Sequence, residues 1–306
     1  MVYETASSVR GMSEAVARAR WGLTIYLGVL VAGSAVLEFL LWRTHEPIIK
    51  HRGLVYLLMW VPAIASIVAR LVLRENVRDL SFRFSLRVGL RPLLVAWLLP
   101  LGVGLAAYGF AWCLGLAVWS PPDVTIFGAH PESPLARFLL LLAYCMTAGS
   151  ILSAFAAAGE EIGWRGYMLT RLIDARIRKP VLTSGLIWGA WHLPTILSGQ
   201  YAAGPYPVFS ATVFMVDIVV AAYFAAYVRL QSGSIWPAIV AHSSWNSIIQ
   251  SAFDASTQGQ SIWVGESGIF CALADFALVA LVVRGPWAVK RSPGEANPLS
   301  VSAMEI

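Results

Sequence analysis

Residues 21–42 read WGLTIYLGVLVAGSAVLEFLLW, a run in which Glu38 is the one charged side chain. At about 1.5 Å per helical residue the run is about 33 Å long, enough to cross a hydrocarbon core of about 30 Å. It is apolar on every face, so a helix here has no polar stripe to turn towards water and belongs in lipid. The residues before it, with Arg10, Arg18 and Arg20, are too polar for the apolar part of a leader peptide, and 21–42 is too long for one. It is therefore expected to be an uncleaved first span. The rest of the chain continues the pattern: 58% of the 306 residues are hydrophobic and 13% charged, about half the charge a soluble chain carries.

Working outward from 21–42, runs of similar length bounded by charges, Pro and Gly fall at 54–73, 92–119, 135–167, 181–197, 208–230, 235–253 and 266–283. The expected fold is all-α, a polytopic membrane protein with a bundle of about eight transmembrane helices. It forms one domain over 21–283, between an N-terminal segment 1–20 and a tail 284–306. With the N-terminus inside, Lys and Arg favour the inner loops over the outer ones by roughly four to one, which predicts a multi-pass protein with both termini cytoplasmic. Outside stand only Arg43, Lys50, Arg52 and Arg137. The net charge of +5 thus sets orientation rather than marking a nucleic-acid surface. Cys113, Cys145 and Cys271 each lie in an apolar stretch and imply neither a disulfide framework nor a thiolate metal site.

Ionisable side chains inside spans are costly, and they usually face the bundle interior. The densest group is Gly159-Glu160-Glu161-Ile162-Gly163-Trp164-Arg165-Gly166-Tyr167. Adjacent carboxylates on a helix diverge by about 100°, so Glu160 and Glu161 serve different tasks, whereas Glu161 and Arg165 can pair at i,i+4. The plain alternative is a cap of snorkelling charges at the membrane surface. Span five adds Trp188 and His192. Span seven adds His242 and Asn246, four apart on one face, for which helix-to-helix hydrogen bonding is the plain alternative. Counted from the inner boundaries at Arg171, Pro180 and Gly233, residues Glu160, His192 and His242 lie roughly 16, 18 and 14 Å deep. That common depth predicts one plane. A carboxylate, two imidazoles and an amide meeting in a low-dielectric pocket have the parts for hydrolysis by activated water.

The ordered set Glu160-Glu161-x-x-x-Arg165, Trp188-x-x-x-His192 and His242-x-x-x-Asn246 over residues 135–253 resembles the CPBP family. These are the CAAX prenyl protease and bacteriocin-processing membrane proteins, which include the Rce1-type endoproteases. The resemblance implies an intramembrane, glutamate-dependent endopeptidase without a metal cofactor, acting on a peptide or protein substrate at the lipid bilayer. It assigns water activation to Glu160 and His192, the oxyanion hole to His242 and Asn246, and supporting roles to Glu161 and Arg165. Trp188 stands where the family pattern most often has Phe.

Competing readings have their own residues. Zinc held by Glu160, His192 and His242 is a possible ligand set, two His and one carboxylate. No His-Glu-x-x-His helix and no Gly-x-Ser-x-Gly elbow occurs. Asp217 and Asp275 lack the Gly-x-Gly-Asp context of an aspartyl dyad and are expected to be isolated packing residues. A catalytically silent immunity or peptide-binding protein, or a proton-coupled transporter, would use the same buried polar groups for other ends.

Overall fold

The apolar runs become eight helical rods among the residues that the computed structural model describes, 2–83, 86–259 and 261–285. They are α1 (Val2–Trp42), α2 (Arg52–Leu73), α3 (Leu86–Cys113), α4 (Pro134–Asp174), α5 (Pro180–Leu197), α6 (Pro207–Ser232), α7 (Trp236–Trp245, continued by a π-helical segment Asn246–Phe253) and α8 (Ile269–Arg284). Five of them, α1, α2, α3, α4 and α6, are long and apolar enough to cross a membrane, and α5, α7 and α8 are the shorter ones. Leu71 and Ile151 are 72% and 75% exposed on the outside of the bundle. An apolar exterior of this kind faces acyl chains at no cost, and the chain is an integral membrane protein.

Several boundaries differ from the sequence reading for local reasons. Helix α1 does not begin at Trp21 but runs back through the polar segment to Val2, because a helix can leave the bilayer and continue in water. The run 92–119 breaks six residues early, at Cys113. There Gly115 adopts φ +69° and the N–H groups of Leu116 and Ala117 fold back on the Ala111 carbonyl, a left-handed stop that glycine makes without strain. Val118 and Trp119 instead pair antiparallel with Gln258 and Thr257. The run 135–167 continues to Asp174, while α5 ends at Leu197, where the run 181–197 ends, with Pro194 inside it. Apart from Arg284 and Gly285, the tail 284–306 lies outside the described residues.

Helix α4 is the spine, packed between α2 and α7, with α5 and α6 forming a further pair beside it. Its approach to α2 runs through Gly159 and Gly163, four apart on one face. A Cβ at Gly159 would sit 2.7 Å from the Met59 carbonyl oxygen, and one at Gly163 would sit 2.4 Å from Pro62 Cβ. Small residues at this spacing let backbones meet where lipid offers no hydrophobic drive for association. Burying that seam turns the intervening residues, Glu160 and Glu161, inward. At one end of the bundle Asp79 accepts from Arg70 Nη1 at 2.6 Å and from Arg171 Nη2 at 2.9 Å, tying the α2–α3 connection to the end of α4.

Candidate active site

Glu160, Glu161 and Arg165 are 2%, 0% and 1% exposed. They are therefore not snorkelling charges, since a group that snorkels keeps its charged end in water. The helical pitch splits the two carboxylates as expected. Glu161 Oε1 accepts from Arg165 Nη1 at 2.8 Å and is also 2.8 Å from His242 Nδ1. Glu160 turns away, and its Oε2 accepts two indole N–H groups, Trp164 Nε1 at 3.0 Å and Trp188 Nε1 at 2.8 Å. Indole nitrogens only donate, so these two bonds hold the carboxylate in place by one oxygen. The other, Oε1, lies 3.9 Å from His242 Nε2, beyond hydrogen-bond length.

Trp188 joins the pieces. Besides bonding Glu160, its ring lies under the Arg165 guanidinium at 4.0 Å, a cation–π contact in a dry setting. The same ring meets His192 and His242 edge-on, with centroids 5.9 and 5.4 Å apart. His192 Nδ1 is 2.9 Å from the Trp188 carbonyl oxygen. A carbonyl only accepts, so Nδ1 carries the hydrogen and the neutral ring keeps its lone pair on Nε2. By the same logic His242 Nδ1 donates to the Glu161 carboxylate, which leaves its Nε2 directed at Glu160. Tyr201 stacks on the His192 ring at 5.9 Å and 28°, and Phe214 of α6 lies against it at 5.0 Å.

Six of the seven expected residues thus make one connected group: Glu160, Glu161, Arg165, Trp188, His192 and His242. Among the described residues no side-chain hydrogen bond joins Asn246 directly to them. It begins the π-helical segment of α7, and its Oδ1 accepts from Gln250 Nε2 at 3.2 Å. Among the described residues no three His, Cys, Asp or Glu side chains are grouped as metal ligands.

Asp217 and Asp275, expected to be packing residues, are both buried, on α6 and α8, with Asp217 Oδ1 and Asp275 Oδ2 each left unpaired. The two helices pack side by side, a pairing that no spacing within either one announces.

Some site residues escaped the sequence reading. Trp164 stands four after Glu160, and that i,i+4 spacing was a usable signal. Tyr201, Trp245, Gln250 and Glu266 come from two connecting segments and α7, and nothing local marks them.

With this geometry in hand, comparison with protein families gives a match over residues 134–248, to Rce1-like, described as type II CAAX prenyl endopeptidase Rce1-like. This segment is similar to the Rce1-like family. Comparison with curated proteins gives no match. The match supports a membrane protease of the CAAX type in general terms, with a peptide or protein at the membrane as substrate. All seven residues expected from the three motifs lie inside the Rce1-like segment, whereas Gln250 and Glu266 lie beyond its end.

Proposed function

We propose that this Rce1-like protein hydrolyses a peptide bond near the C-terminus of a membrane-associated, prenylated substrate, with both of its own termini cytoplasmic. Glu160 and His192 activate the attacking water, and His242 and Asn246 receive the developing oxyanion. The observation that carries the reading is the divided state of Glu160. One oxygen is pinned by two indoles, and the other is left facing His242 Nε2 across 3.9 Å. That opening leaves room for a water oxygen about 2.8 Å from Glu160 Oε1, beside the oxyanion position at His242 Nε2. The water proton passes to Glu160 Oε1 as the carbon–oxygen bond forms, and then to the leaving amine as the carbon–nitrogen bond breaks. Glu161, bonded to His242 Nδ1, fixes the ring, and a proton taken up at Nε2 makes that atom the donor the oxyanion role requires.

The test is cleavage of an internally quenched peptide ending in a farnesylated CAAX sequence, by purified protein in liposomes. Glu160→Gln keeps the volume and an acceptor for both indoles, so the fold survives while turnover falls to background. A Glu160→Gln enzyme with full activity refutes the assignment. Each preparation is also assayed with a zinc chelator, and loss of cleavage on chelation would replace this mechanism by the zinc reading.

A further inference from the structure

Glu266, in the segment leading into α8, is 8% exposed and receives three hydrogen bonds from two other parts of the chain. Trp245 Nε1 and Gln250 Nε2, both of α7, each donate to its Oε1 at 2.9 Å. The Tyr201 hydroxyl, from the connection after α5, donates to its Oε2. The chemistry of these groups fixes a direction. An indole N–H can only donate, so Oε1 must be an acceptor, and the Gln250 atom beside it must be the amide nitrogen. That same nitrogen lies 3.2 Å from Asn246. An NH₂ group there requires an acceptor, so the Asn246 side chain must present its oxygen to Gln250 and turn Nδ2 the other way. A side-chain amide is otherwise free to sit in either of two orientations of nearly equal shape. Nδ2 donates to no group among the described residues.

We infer that Glu266 and Gln250 are positioning residues that set the polarity of the Asn246 amide, so that Nδ2 rather than Oδ1 faces the reacting carbonyl. This rests on the oxyanion role of Asn246 in the proposed function. An Asn turned the other way would offer a carbonyl oxygen to a developing negative charge and oppose the reaction. The Tyr201 ring stacked on His192 connects the same carboxylate to the other side of the site.

The experiment is a double-mutant cycle with the farnesylated quenched peptide in liposomes, using Gln250→Met, Asn246→Ala and the pair. Met matches the length of Gln and removes the donor. Alone, Gln250→Met lowers kcat about tenfold, the scale of one orienting hydrogen bond, and leaves KM within about twofold. On the Asn246→Ala background, itself down roughly 10²-fold or more, it costs nothing further, because the group it orients is gone. Losses that multiply, or a Gln250→Met enzyme with wild-type kcat, overturn the inference. Glu266→Leu provides a second arm should Gln250→Met not fold. It removes the acceptor that fixes the Gln250 amide, so kcat falls about tenfold on the wild-type background and no further on Asn246→Ala, whereas wild-type kcat or losses that multiply overturn the inference. Failure of the underlying function shows separately, as full activity in Glu160→Gln.

Discussion

Replacing Arg165 by Met tests how the site is held. The guanidinium and Glu161 are 1% and 0% exposed and 2.8 Å apart. Its removal leaves a carboxylate in a dry interior with Oε2 already unpaired and His242 Nδ1 as the remaining donor. Breaking one side of a buried ion pair costs about 3–5 kcal/mol, and the face of Trp188 loses a cation–π contact as well. Two features bring the figure down. Arg165 Nε and Nη2 have no partner in the native state, so part of the desolvation cost of the guanidinium disappears with it. His242 can also take up a proton and pair with Glu161. We expect a loss of about 3 kcal/mol, a fall in Tm on the order of 10 °C. The assay is the monodisperse fraction surviving a temperature ramp in detergent. Glu161→Gln combined with Arg165→Met should recover much of the loss, since a neutral amide does not need a counter-charge. A Tm within about 2 °C of wild type for Arg165→Met, or a double variant no better than the single, refutes the argument that this pair is a mutually dependent buried unit.

Two further expectations concern packing and the loop before α4. Gly163→Ala should lower Tm, because its Cβ would lie 2.4 Å from Pro62 Cβ and overpacking of about 1–3 kcal/mol exceeds the helix-propensity gain of about 0.5–1 kcal/mol. Gly109→Ala, with nothing within 4 Å of the new Cβ, should raise it, so the same thermal ramp showing both variants stabilised would discard the α2–α4 seam. In the loop before α4, hydrogen bonds from Arg137 and then His130 hold the Asp123 carboxyl below the usual carboxylate range. A lowered folded-state pKa stabilises the folded loop above the ordinary Asp value and loses that effect as pH falls through the folded value. Hydrogen exchange over residues 120–133 should therefore quicken only below about pH 3.9, the ordinary Asp value. In Arg137→Gln the onset should move up, and an unchanged onset would remove Arg137 as the cause.

Much of the bundle was legible because lipid is an unforgiving solvent: a span must be apolar over its whole length, and the eight runs could be counted directly. The ends were less legible. Whether 114–119 extends α3 depended on Gly115 entering the left-handed region and on Thr257 and Gln258 being there to pair with Val118 and Trp119. Gly159 and Gly163 were visible as a spacing, yet what they serve, contact with Met59 and Pro62, belongs to another helix.

The sequence by itself determined the class of solvent, the all-helical architecture and the residues of the three motifs, because each depends on composition, span length or an i,i+4 relation within one segment. Only the tertiary structure decided that Glu160 is pinned by Trp164 and Trp188 while Glu161 serves Arg165 and His242. It also decided that Asp217 and Asp275 lie on helices that pack together and that Gln250 donates to Glu266. The physical reason is range. Hydropathy and helical pitch act along the chain, whereas a hydrogen bond or an ion pair acts over about 3–4 Å, a distance set by which helices pack together.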